Sequence, residues 1–67
     1  MNLKMKSLRT LKGYSQEALA KKIDCSRQTI VLIEKETYNP SLDLMIKICK
    51  ALDVTLNDLF WKDEMSE

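Results

Sequence analysis

Four hydroxyl residues, Ser15, Ser26, Ser41 and Thr55, each stand one position ahead of a run whose apolar residues recur at three- and four-residue steps. A hydroxyl oxygen in that place accepts a backbone N–H of the first helical turn, so each reads as a helix N-cap. The pattern predicts helix 1 from Met5 to Lys12, helix 2 from Gln16 to Ile23 and helix 3 from Arg27 to Lys35. Helix 4 follows from Leu42 to Leu52, and helix 5 from Leu56 to Phe60. Glu17 sets an acid beside the positive end of helix 2, and Pro40 stops any continuation into Ser41. Asp58, three residues beyond Thr55, makes a relative of the capping box with it. Leu19, Ala20 and Ile23 form one apolar stripe; Leu42, Met45, Ile46, Cys49 and Leu52 form another, continued by Leu56, Leu59 and Phe60. The connection Asp24-Cys25 between helices 2 and 3 is so short that the two helices must cross steeply, as in a helix-turn-helix.

The ends break this pattern. Met1, Leu3 and Met5 alternate with Asn2, Lys4 and Lys6, and Phe60-Trp61 brings two aromatics together near the other end. Strands favour both features, so a short two-stranded ribbon joining the termini is one expectation. A frayed pair of termini is the other.

The 67 residues fit one small domain, 1–67, and so short a chain gains from a partner subunit. One Gly and one Pro argue against a loop-rich or all-β fold. Cys25 and Cys49 have no CxxC spacing, and with no histidine in the chain they cannot complete a usual zinc site. They read as core thiols, with no metal and no cofactor expected. The same lack of histidine, and of any Gly-rich phosphate loop or convergent carboxylate pair, excludes the common enzyme chemistries. No apolar run approaches a membrane span and no signal peptide is evident, which makes the expected location the cytoplasm. The net charge of +1 hides an asymmetry: residues 1–35 carry +5 and residues 36–67 carry −4. A basic first half suits a chain that meets a polyanion with one face, although an ordinary solvated surface would show the same charge.

Ile30-Val31-Leu32-Ile33 tests the helical reading most sharply, since four consecutive apolar residues also suit a buried strand. The Ser26 cap decides for a helix. At ~100° per residue, Ile30 and Ile33 then face the core, while Arg27, Gln28, Val31 and Lys35 share the opposite arc. That arc suits a DNA major groove: Gln can bond adenine, Arg can bond guanine or phosphate, and Val can rest on a thymine methyl. It also suits a plain amphipathic surface helix. Leu32 falls on the flank between the two faces.

The stretch YSQEALAKKIDCSRQTIVLIEK, followed by TYNPSLDLMIKICKALDVTLNDLF, resembles the phage Cro/repressor-type helix-turn-helix regulators, in particular compact bacterial members with little beyond the DNA-binding domain. SQEALA, SRQTI, IEK, YNPSL and LNDLF occur in family order and spacing. The resemblance implies an all-α, five-helix lambda-repressor-like fold with its helix-turn-helix at about residues 15–35. It implies a sequence-specific regulator of transcription binding double-stranded DNA, a repressor working as a homodimer on a two-fold symmetric operator. Helix 3 would be the recognition helix, with Arg27, Gln28 and Val31 toward base edges and Ser26 and Thr29 near the backbone. Gln16 would meet a phosphate and brace Gln28; Lys35, Tyr38, Asn39 and the N-terminus of helix 4 would meet phosphates. Arg9 and Glu34 would form an internal ion pair that orients helix 3. Leu56, Leu59, Phe60 and Trp61 are the expected dimer interface. Two departures concern backbone: Asp24 and Glu36 stand where relatives often have Gly. A third is that Val31 and Leu32 stand where relatives often carry polar or small residues. Rival readings are an antitoxin that autoregulates its operon, and a protein-interaction module that has lost DNA binding.

Overall fold

Each predicted cap forms the bond its residue type allows. The Oγ atoms of Ser15, Ser26 and Ser41 accept the backbone N–H of Ala18, Thr29 and Leu44 at 3.0, 3.1 and 3.2 Å. Thr55 and Asp58 close a complete capping box, the Asp58 carboxylate taking the Thr55 N–H at 3.0 Å. Each such cap is worth ~1 kcal/mol to its helix. The computed structural model describes residues 2–60. Over these the chain forms α1 (Leu3–Leu11), α2 (Gln16–Lys22), α3 (Arg27–Glu34), α4 (Leu42–Leu52) and α5 (Leu56–Leu59). This is the all-α, lambda-repressor-like arrangement that the sequence implies.

The terminal ribbon does not form among the described residues. Leu3 and Met5 belong to α1, because Asn2 caps that helix with its Oδ1 3.0 Å from the Met5 N–H. Met5 points into the core while Leu3 is exposed, as helical spacing rather than strand alternation requires. Phe60 closes α5, and Trp61 lies outside the described residues.

The core gathers Met5, Leu19, Ala20, Ile23, Ile30, Ile33, Ile48, Cys49, Leu52 and Leu59. Ile30 and Ile33 are therefore the anchors that press α3 inward. On α4 the stripe is rotated from its expected phase. Ile48 is fully buried, Met45 and Ile46 are half-buried, and Leu42 is 54% exposed. The covering helices meet an arc centred on Ile48 and Leu52, which leaves Leu42 ~100° to one side. Cys49 is a core thiol, and Cys25 is half-buried against the core's edge. Burial pushes both thiols up from their ordinary pKa.

α1 to α4 each end with a residue at positive φ: Gly13 (84°), Asp24 (61°), Glu36 (62°) and Asp53 (61°). At each, the following amide donates back to a helix carbonyl, as Cys25 does to Ala20 at 2.8 Å and Thr37 to Leu32 at 3.0 Å. These Schellman-type stops reverse the chain within a few residues and set up the steep helix crossings. Only one of the four residues is glycine. The two glycine departures in the sequence, Asp24 and Glu36, thus occupy left-handed stops.

Candidate nucleic-acid interface

The tight stop at Asp24 brings Ser26 directly into place as the cap of α3, and α3 packs across α2 and α1. Two core isoleucines alone would leave α3 able to roll about its axis. A buried polar network prevents that. Arg9 Nε donates to Glu34 Oε2 at 2.7 Å, and Arg9 Nη1 donates to the Tyr14 carbonyl at 2.9 Å. Gln16 Nε2 donates to Glu34 Oε1 at 3.1 Å, so α1, α2 and the last turn of α3 meet at one carboxylate. The ion pair expected between Arg9 and Glu34 is present, with both side chains less than a tenth exposed.

With that roll fixed, Arg27 and Gln28 are exposed on α3, and Val31 is half-buried on the same arc. Thr29 is half-buried, and its hydroxyl lies 2.8 Å from that of Ser26, so the two expected backbone neighbours hold each other at the helix start. Leu32 is half-buried on the flank. Lys35, the C-cap of α3, is exposed, as are Tyr38 and Asn39 on the following loop. Buried Pro40 fixes that loop, and Ser41 then opens α4. Arg27, Gln28, Lys35, Tyr38 and Asn39 thus present guanidinium, amide, ammonium and phenol groups to solvent. The arc carries cations and amide donors, the groups that bond phosphates and base edges.

Gln16 differs in part from its expected part. Its amide is bonded to Glu34 rather than to Gln28, although a carboxamide nitrogen keeps a second proton for another acceptor. On the expected dimer face, Leu59 is turned into its own core and is only 7% exposed. It fills space between α5 and its neighbours and has little surface left for a second chain. Leu56 and Phe60 are half-buried. Two structural residues escaped sequence reading. Asn2 is buried and bonded to both ends of the fold, and the Tyr14 carbonyl completes the guanidinium site of Arg9. Asn is a good cap residue, which is the only local sign Asn2 offers. Among the described residues, no helix is long and apolar enough to cross a membrane.

The helix-turn-helix family profile matches residues 5–59. The chain is 48% identical over 64 residues to the uncharacterised HTH-type transcriptional regulator YgzD of Bacillus subtilis, covering 96% of this chain and 97% of that one. It is 50% identical over 60 residues to an uncharacterised HTH-type transcriptional regulator of Methanocaldococcus jannaschii, covering 90% and 91%. Among solved structures, it is similar to the restriction-modification controller protein C.AhdI of Aeromonas hydrophila. The TM-score is 0.79 at 36% identity, over 88% of this chain and 89% of that one. A chain of the SinR–SinI protein complex gives a TM-score of 0.79 at 30% identity, over 94% of this chain but 62% of the other.

Proposed function

The chain belongs to the helix-turn-helix family of Cro/repressor-type transcriptional regulators, and from that membership we propose that it is a cytoplasmic repressor which binds a two-fold symmetric operator as a homodimer. The observation that carries this reading is the exposed Arg27–Gln28 pair on a helix whose roll is fixed by the buried Arg9–Glu34 contact. A major-groove reader needs that combination, since bidentate bonds to a base tolerate little rotation of the helix that bears them. Gln28 and Arg27 read base edges, and Val31 rests on a thymine methyl. Gln16 uses its second amide proton for a phosphate, joined by Lys35, Tyr38, Asn39 and the N-terminus of α4. Ser26 and Thr29 secure the start of α3 beside the backbone. Repression is by occlusion of the promoter, which needs only that the bound protein cover the site.

One recognition helix reads only a few base pairs, so affinity comes from two copies on half-sites ~34 Å apart. Leu56, Phe60 and Trp61 supply the apolar surface for that pairing, with Leu59 supporting them from within. The likeness to a restriction-modification controller favours a second reading of the regulated genes, in which the chain controls an operon that includes its own gene, as an autoregulating antitoxin does. Selection of bound duplexes from a random library tests the central reading. Enrichment of a two-fold symmetric sequence is expected; recovery of no preferred sequence would overturn it. Trp61→Glu is expected to yield monomers on sedimentation, and an intact dimer would move the interface elsewhere.

A further inference from the structure

An open cleft of about 360 Å³ is lined by Asn2, by Ile33 of α3 and the loop that follows α3, and by Leu59 and Phe60 at the end of α5. α5 packs chiefly on α1 and α4, whereas α3 packs chiefly on α2 and α1, and the two helices meet through the shared core that holds Ile33 and Leu59. Asn2 is hydrogen-bonded to both helices. Its backbone N–H donates to the Glu34 carbonyl at 2.8 Å, in the last turn of α3. Its side-chain Nδ2 donates to the Leu59 carbonyl at 2.8 Å, in the last turn of α5. Its Oδ1 meanwhile accepts the Met5 N–H and caps α1. These contacts fix the amide's orientation, because a flipped side chain would set oxygen against the Leu59 carbonyl and NH2 against the Met5 N–H. The residue is 8% exposed, so water cannot readily replace the bonds.

We propose that Asn2 is a positioning residue for DNA recognition: its backbone N–H holds the end of the recognition helix and its side-chain amide holds α5, so that one residue sets the angle between them. The inference rests on the reading of α3 as the DNA reader. Its physical content is that Glu34 is held twice. Arg9 and Gln16 fix its carboxylate from α1 and α2, and the N–H of Asn2, whose side chain is bonded to α5, fixes its carbonyl. The first contact sets the helix roll, and the second relates the helix to the element proposed to meet the partner copy. In a two-fold dimer that relation determines how far apart, and at what tilt, the two reading helices stand.

The cap and the clamp are separable. Asn2→Ser and Asn2→Asp keep an oxygen for the Met5 N–H but lose the carboxamide NH2 that donates to Leu59, whereas Asn2→Ala loses both. Amide hydrogen exchange in the full chain, followed by NMR, reads the clamp without DNA. Asn2→Ser and Asn2→Asp are expected to speed exchange at position 2 and at Phe60 by about three- to tenfold, while leaving Ile23, the C-cap of α2, unchanged. On the duplex selected by the wild type, both should lose about three- to tenfold in affinity, with binding to random DNA unaltered. Wild-type exchange at both positions would overturn the clamp. Faster exchange with wild-type operator affinity would overturn the positioning role. Failure of the wild type to select any duplex would remove the reading of α3 and this inference with it, and would be seen before any substitution is made.

Discussion

Arg9 Nε lies 2.7 Å from Glu34 Oε2 with both side chains almost closed to solvent, so α3 is fastened to α1 by a buried charge pair. Removing one partner leaves the other charge desolvated and uncompensated, which costs more than the pair contributes. Arg9→Met should destabilise the chain by ~3 kcal/mol in urea denaturation. The double change Arg9→Met with Glu34→Leu should recover part of that loss, because no orphaned carboxylate remains. Additive losses in the double variant would mean that the two side chains act independently.

Gln28 is exposed on α3 and distant in role from the anchors Ile30 and Ile33. Gln28→Ala is therefore expected to leave stability nearly unchanged. Loss of a bidentate base contact should cost ~1–3 kcal/mol on the operator and almost nothing on random DNA. An equal loss on both would assign Gln28 to the backbone instead.

Lys35 caps the far end of α3 and is exposed beside the loop that carries Tyr38 and Asn39. A phosphate contact there releases about one counterion, so Lys35→Ala should weaken all sequences alike and lower the salt slope by about one unit. Titrations across a range of salt concentrations measure that slope directly; if it does not change, Lys35 touches no phosphate.

How much of this is legible in the chain follows the range of each interaction. The four hydroxyl caps are readable because each bonds an amide three residues away, within its own turn. The split of Ile30-Val31-Leu32-Ile33 into core and flank follows from the period of one helix. The phase of α4 does not, since which arc of Leu42–Leu52 is buried depends on where the other helices lie. Asn2 is harder still: its side-chain partner Leu59 is 57 residues away, and the alternation around it mimics a strand. The Arg9–Glu34 pair, 25 residues apart, was recoverable only through the family resemblance. Gln16 shows the limit of that route, because resemblance names its position but not its bond to Glu34.

Asp58 gives the pH dependence a definite sign. The Thr55 backbone N–H bonded to its carboxylate, helped by the Thr55 hydroxyl, holds its pKa below the ordinary carboxylate value. A group depressed on folding contributes stability above its unfolded pKa and loses it as pH falls through the folded pKa. The α5 cap should therefore be intact at neutral pH and be lost only in acid, below the range where an ordinary aspartate takes up its proton. Thermal melts from neutral to acid pH should show a smaller acid loss for Asp58→Asn than for the wild type. Identical acid slopes would place the proton uptake at other carboxylates.

Asp53 stops α4 at a φ of 61°, where a Cβ crowds the backbone and glycine does not. Its side chain is highly exposed, and its nearest cation, Lys12 Nζ, is 3.9 Å away, so that ion pair contributes little. Two effects oppose each other in Asp53→Gly. Relief of left-handed strain favours the folded chain, while the freer unfolded chain disfavours it by ~0.5–1 kcal/mol. Strain of ~1–2 kcal/mol for an ordinary residue, somewhat less for Asp, leaves a net gain of ~0.5 kcal/mol for Asp53→Gly. Asp53→Val keeps the Cβ, adds a branch and removes the polar group that eases the conformation, so it should lose ~1 kcal/mol or more. Chemical denaturation of the two variants beside the wild type should give the order Gly, Asp, Val. Placing Val level with Gly would show that α4 can end without the left-handed turn.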